Sequence, residues 1–306
     1  LSTLATKGFR IYGIGKNFTK DIEPEYITIS DDSKTAWVTL QENNAIAEVD
    51  IIGGTVKKIM PLGFKNYGTA GNEIDPSDRD SKIEFSTLYN KVFGMYLPDA
   101  ISQYTYNGVP YLFTANEGDA REYAGFSEMR RVGSSSHVLD PTAFPNAAIL
   151  KTDAQLGRLN TTTTLGDTDG DGDFDAIYSL GSRSFSVWNA VTGEQVYDSK
   201  NELDRKALEL QVYDDGRSDD KAVEPEAITI GRVGSKQIAI VGLERADAFA
   251  IYDITNPASP QFIKMFKTGD APEGVLFIPA SKSPIQQSLI VVSSENDGVI
   301  KIYKAN

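Results

Sequence analysis

The sequence predicts an all-β chain of the β-propeller class. Three observations carry that expectation. A unit recurs along the chain, each unit holds short strands of β-branched and aromatic residues, and the units are separated by long, irregular intervals. Four segments share one plan, at 23–51, 97–120, 224–254 and 271–305. Each opens on proline followed by an acid: Pro24-Glu25, Pro98-Asp99, Pro225-Glu226 and Pro272-Glu273. A short strand and a turn such as "SDDSK" or "NGV" follow, then an apolar strand: "TAWVTL", "PYLFTA", "QIAIVGL" or "SLIVVSS". That strand ends on an acid beside an amide or base, at Glu42-Asn43, Asn116-Glu117, Glu244-Arg245 and Glu295-Asn296. In three copies "AIAEVDI", "AFAIYDI" or "VIKIYK" supplies another strand. A degenerate fifth copy spans 174–198, where "VWNAVTGEQVYD" reads as a hairpin turning at Thr192-Gly193. Antiparallel units of this kind hide their faces against neighbours in a ring, so 1–306 reads as a single propeller domain. A β-sandwich is the alternative.

In a propeller blade the first strand lines the central channel. A Pro-acid pair at its start and an acid at the end of the next strand then lie at the same mouth. This predicts an acidic rim of Glu25, Glu42, Asp99, Glu117, Glu226, Glu244, Glu273 and Glu295. The competing expectation is that these acids serve backbone N–H groups in turns between blades, or pair with Arg245 and Lys221. Three stretches, 63–96, 118–150 and 199–223, interrupt the rhythm and read as loop insertions. Long loops on a rigid scaffold often carry binding residues, so they are expected either to cap one mouth or to pack between blades. The only histidine, His137 in "GSSSHVLD", reads as exposed and without a role.

With 43 acidic against 30 basic residues, the 306-residue chain carries a formal charge of −13. That excludes nucleic acid and anionic membranes as expected partners, since phosphate binding needs clustered Lys and Arg. No apolar run reaches membrane-span length, so the chain itself is not expected to insert. The absence of cysteine removes disulfides, thiolate metal sites and cysteine nucleophiles. With one histidine besides, a zinc site of the usual ligands is not expected. No GxSxG, HExxH or P-loop pattern is present. The start at Leu1 suggests a processed or trimmed product, and Asn17-Phe18-Thr19 and Asn160-Thr161-Thr162 fit the N-glycosylation pattern.

"DTDGDGDFD", 167–175, places aspartate at every second position. Asp167, Asp169 and Asp171 occupy positions 1, 3 and 5 of a calcium loop, with Gly172 at position 6. Asp173 would offer its carbonyl, and Asp175 would bind directly or through water. Tyr178 stands where an EF-hand has its bidentate glutamate, and "AIYSLG" beyond reads as a strand, so this is not an EF-hand. Calcium is the expected cofactor, preferred over magnesium. Its expected role is structural, neutralising a turn and pinning a blade.

"IEPEYITIS", "VTLQENNA", "FGMYLPDAI", "TANEGDAREY", "DPTAFPNAA", "LGDTDGDGDFD", "GRSDDK", "EPEAITIG", "GLER" and "APEGVLFIPA" occur in this order. On these motifs, which run nearly the whole chain, the sequence resembles the choice-of-anchor I family. That family includes bacterial exported proteins, many labelled alkaline phosphatase, and mesenchyme-specific cell-surface glycoproteins. The resemblance implies a seven-bladed propeller of which this chain lacks N-terminal blades. It also implies a secreted, periplasmic or cell-surface location. "NELDRKALELQVYDDGRSDDK" is shorter than the family pattern leads one to expect.

The leading expectation is therefore a secreted or cell-surface calcium-binding propeller acting as a binding or matrix module. The alternative is a calcium-dependent phosphoesterase of alkaline-phosphatase or phytase type, acting on phosphate-bearing small molecules at the channel mouth. Its candidate residues are Glu25, Glu42, Glu117, Asp119, Arg121, Asp220, Lys221, Glu226 and Glu244. A lactonase-like propeller with one channel calcium is a third expectation.

Overall fold

The computed structural model describes residues 2–305. Its main body is a run of four antiparallel sheets. The first blade holds Pro24–Ile29, Thr35–Leu40, Ala45–Asp50 and Thr55–Pro61, hydrogen-bonded in chain order. The third repeats that meander with Pro225–Val233, Lys236–Leu243, Ala248–Asp253 and Gln261–Lys267. The fourth has three strands, Pro272–Ile278, Ser288–Ser294 and Ile300–Ala305.

The second blade is discontinuous in sequence. Ile101–Tyr106 and Val109–Ala115 are completed by Phe185–Asn189 and Gln195–Asp198, with Phe185 opposite Ala115. The segment 174–198 is thus not a blade of its own. Its hairpin forms as expected, with Gly193 at φ 79° donating its N–H to the Asn189 carbonyl at 2.7 Å. It supplies the outer half of the blade begun at 101, because Val109–Ala115 has a free edge on that side.

First strands pack against first strands. Ile101–Tyr106 contacts both Pro24–Ile29 and Pro225–Val233, and Pro225–Val233 contacts Pro272–Ile278. The apolar cores lie between successive blades, as propeller geometry requires. Trp37, Ile46, Leu112 and Trp188 join blades one and two; Phe113, Phe185, Val241 and Tyr252 join two and three; Ile240, Phe249, Ile290 and Val292 join three and four.

The insertions are more ordered than loops. Phe64–Asn66 and Val92–Met95 from the first, Met129–Arg131 from the second, and Asn160–Thr162 and Ile177–Ser179 form a five-stranded sheet outside the four blades. Ile177–Ser179 runs parallel to Val92–Met95. Residues 199–223 carry a helix, Glu202–Glu209, whose Leu203 and Ala207 enter the core between blades two and three. Leu203, Ala207 and Leu210 have the i, i+4, i+7 spacing of one helical face.

The recurring proline has a local cause. Pro24, Pro225 and Pro272 each begin a strand, where a missing N–H breaks no ladder bond. In each case the pairing slips just afterwards, between Pro24 and Ile27, Pro225 and Ile228, and Pro272 and Gly274. The acid after proline sits in that irregularity, and a bulge re-aims the side chain it carries.

Phe249 is 1 % exposed, stacked on Phe266 and edge-on to Tyr303 across the boundary of blades three and four. Phe249→Ala should therefore cost about 3–5 kcal/mol. The check is urea unfolding, where a change below about 1 kcal/mol would contradict this packing.

Candidate functional site

A second repeated contact brings the strand-end acids to the strand-start acids. Leu97, Glu224 and Ala271, each just before a proline, hold left-handed φ of 42°, 48° and 54°. A non-glycine residue there is uncommon, and before proline an extended backbone is preferred. The carbonyls so turned accept N–H groups from the end of the next strand: Gly118 to Leu97 at 3.1 Å, Glu244 to Glu224 at 2.9 Å, Glu295 to Ala271 at 2.8 Å. Each bond clasps the two ends of a blade's inner hairpin. In blade one the Asn43 side chain does the equivalent, accepting the Glu23 N–H at 3.1 Å.

The clasps gather the acids of several blades. Glu117, Glu226 and Glu244 bring carboxylate oxygens within 4.8 Å of one another, and so do Glu244, Glu273 and Glu295. Burial, then the charges of Glu117, Glu25 and Glu273, pushes Asp99 up to about 7. Glu244 is pushed up to about 7 by burial and Glu224, against the opposing pull of Arg245. Glu226 is driven strongly upward by burial first and then by Glu117, Asp99, Glu273 and Glu244. Glu42 is raised by burial and by Glu23 and Glu25. Glu25 and Glu273, more exposed, are also raised, first by burial and then by neighbouring carboxylates. Glu25, Glu42, Asp99, Glu226, Glu244 and Glu273 of the sequence-predicted rim are thus raised by neighbouring carboxylates as well as by burial.

The competing expectation holds at other positions of the same rim. Lys221 Nζ lies 2.5 Å from Glu117, 3.1 Å from Glu224 and 3.8 Å from Asp119. Gln41 Nε2 donates to the other Glu117 oxygen at 2.6 Å. Arg245 pairs with Glu244 at 3.0 Å, and Arg217 with Glu224 and with Asp220, the latter at 3.0 Å. Arg121 stands apart from that group. It is 4 % exposed, donates to the Tyr12 and Asp21 carbonyls at 2.8 and 3.0 Å, and pairs with Glu23 at 2.9 Å. It straps the N-terminal segment to the 118–150 insertion.

Sequence reasoning passed over three buried charges. Glu224 precedes Pro225 in "EPE" and is the acceptor for Lys221 and Arg217. Glu128 gathers Arg10, the Tyr12 hydroxyl at 2.5 Å, Thr162 at 2.6 Å and the Arg121 N–H at 3.0 Å. Arg183 donates to the Asp75, Ser218 and Asp220 carbonyls at 2.7, 2.6 and 3.1 Å. Only Glu224 had a signal, its place in the repeat.

The aspartate loop joins Asn160–Thr162 to Ile177–Ser179 in the five-stranded sheet, so it does not lie within one of the four blades. Asp167 accepts the N–H groups of Gly170 and Gly172 at 2.7 and 3.1 Å, and Asp175 accepts the Thr168 N–H and hydroxyl at 2.9 and 2.6 Å. Asp167, Asp169 and Asp175 bring oxygens within 4.8 Å, and Asp173 and Asp175 do so with Asp140. Asp171 belongs to neither group; its carboxylate accepts the Asp173 N–H at 3.1 Å. Oxygens sharing one calcium at about 2.3–2.6 Å lie at most about 5 Å apart, so both groups fit one ion's shell.

His137 is not exposed. It is 1 % accessible and stacks on Phe174 with centroids 4.2 Å apart. Phe174 belongs to the loop, whose backbone pairs with Val138 and Asp140. Burial, helped by Lys151 and Arg130, lowers His137 to about 4.

Two outcomes follow from these placements. Lys221→Met takes the shared ammonium from Glu117, leaving it only the Gln41 amide, and from Glu224, leaving it the arginines, and should destabilise by about 3 kcal/mol; Glu117→Gln in that background should recover part of the loss in urea unfolding. His137, depressed when folded, is protonated first in the unfolded chain. Its contribution to stability is full above about pH 6.5 and declines as pH falls toward about 4. His137→Phe should flatten the thermal-melting profile across that window, and an unchanged slope would contradict the buried neutral ring.

A family model described as the choice-of-anchor I domain matches residues 1–257. Gigasin-3a from Magallana gigas is 27 % identical over 185 residues, covering 49 % of this chain and 65 % of that protein. The chain thus spans just under two thirds of that curated relative. Among solved structures, the WD40 repeats of RRP9 are similar at 9 % identity and TM-score 0.39, covering 97 % of this chain and 51 % of that one. The Neurospora crassa Pan2 WD40 domain is similar at 10 % identity and TM-score 0.32, covering 92 % and 63 %. On the match across most of its length, the chain belongs to the choice-of-anchor I domain family.

Proposed function

We propose that this chain is the propeller of an exported or surface-held protein, that it binds calcium, and that it works as a binding or matrix module. The observation that carries the calcium reading is the loop. Asp167, Asp169 and Asp175 converge to within 4.8 Å while Asp167 caps the Gly170 and Gly172 N–H groups, the winding a calcium loop needs. Calcium there neutralises the turn and fixes it against the His137 segment. Family membership supports export and attachment. No helix among the described residues is long and apolar enough to cross a membrane.

Binding is preferred over phosphate-ester hydrolysis on the state of the bases. Lys221 and Arg245 are in ion pairs with the rim acids Glu117 and Glu244, Arg217 pairs with Glu224 and Asp220, and Arg121 is held by Glu23 and two carbonyls. A free base beside the rim would help to neutralise a substrate phosphate, and none of these four is free of a protein partner.

Calcium at about a hundredfold over its Kd should add about 2.7 kcal/mol, raising the melting temperature by several degrees. Asp169→Asn should abolish most of that rise; a rise retained in full would remove the loop from the account. Phosphomonoesters and phytate in calcium should not be turned over. Turnover lost in Glu226→Gln would overturn the preference for binding.

A further inference from the structure

The inference concerns Glu226, which the calcium loop leaves untouched. Glu226 is 8 % exposed, and its Oε2 is buried without a hydrogen-bond partner. No basic side chain among the described residues pairs with it, although Lys221, Arg217 and Arg245 serve its neighbours. Two other elements bring acids to it. Glu226 sits in the bulge opening blade three, Glu117 follows the second strand of blade two, and Glu244 follows the second strand of blade three. Their carboxylate oxygens lie within 4.8 Å of one another. We propose that Glu117, Glu226 and Glu244 hold a divalent cation at the mouth of the channel, with calcium favoured over magnesium.

The chemistry of the seat follows from its donors. All are hard oxygens, as calcium and magnesium require. They come from separate elements and are not fixed in an octahedron, which suits the variable shell of calcium better than the strict one of magnesium. Glu117 has one oxygen on Lys221 and the other on Gln41, and Glu244 leans on Arg245, so both are already oriented. Each such oxygen keeps a second lone pair for the ion. Glu226 alone has no other partner and is the ligand the ion would satisfy. An isolated buried carboxylate is costly, and a cation removes the cost without a new protein base. The remaining coordination positions open on the channel, where water or an anionic group of a partner would bind. The seat does not rest on the calcium loop, since it shares no residue with 167–175, and it requires no hydrolysis, although its three residues are among those named for that alternative.

Titration of the full chain with terbium, a luminescent stand-in for calcium, followed by competition with calcium, separates the sites. Two sites are expected in the unaltered chain. Glu226→Gln should lose one of them, with affinity down at least tenfold, and leave the other; Asp169→Asn should do the converse. Glu244→Gln is the second variant should Glu226→Gln fail to fold. One site that Asp169→Asn removes and Glu226→Gln leaves intact would overturn the channel seat while sparing the loop. One site with the opposite dependence would sustain the channel seat and remove the loop, and no site would overturn both.

Discussion

The arrangement of this molecule hangs on a carbonyl turned the wrong way. Leu97, Glu224 and Ala271 hold positive φ immediately before proline, a conformation that costs on the order of 1–3 kcal/mol each. Left-handed backbone aims the carbonyl at the end of the neighbouring strand, which donates an N–H to it. After Glu224 and Ala271 the proline opens the next strand with no N–H to lose, and the pairing slips by a residue; after Leu97 the paired strand begins only at Ile101 and keeps its register. In blade three the acid in the slip, Glu226, comes within 4.8 Å of Glu117 and Glu244, and in blade four Glu273 comes as close to Glu244 and Glu295. Repeated in blades side by side, this local device becomes a convergence of carboxylates.

Convergence then sets an electrostatic problem that the protein solves unevenly. Exposed acids on the loop 167–175 sit in water and salt, where repulsion is screened. On the rim Glu42, Glu226 and Glu244 are buried, and burial is the leading cause of every upward shift among Asp99, Glu226 and Glu244. Lys221 answers Glu117 and the neighbouring Glu224 at close range, and Arg245 answers Glu244. Such pairs are weak as a source of stability, but breaking one is expensive because it leaves its partner buried and charged. Glu226, like Glu42, is a buried rim acid with an oxygen that no hydrogen-bond donor meets, and of the three acids Glu117, Glu226 and Glu244 it is the one without a base.

Much of the fold was legible because its signals are local. Pro-acid pairs, the apolar strands and the turn at Gly193 each follow from residue type and period, and they place all four blades. What could not be read was partnership across distance. Nothing in residues 101–115 says that their sheet is completed 70 positions later by Phe185–Asn189, since any free strand edge accepts any complementary strand. His137 looked exposed among serines, yet a ring meeting Phe174 is buried whatever its flanks. Glu128 has no motif; Arg10, Tyr12, Thr162 and Arg121 reach it from four distant places. The helix at Glu202–Glu209 did carry a signal, the Leu203, Ala207, Leu210 face, hidden in an acidic stretch. The rim itself was legible as a list of acids. Which of them lacks a base was visible only once Lys221, Arg217 and Arg245 had been placed.

The central claim is that repetition of the clasp builds a cation seat at the channel mouth. Its most direct test is a crystal structure of the chain grown in calcium, with anomalous scattering used to locate the ions. The account predicts anomalous density bonded to Glu226 and Glu244, with Glu117 alongside and Lys221 still on Glu117. A well-ordered mouth in which Glu226 contacts only water or a protonated neighbour, at saturating calcium, would contradict it.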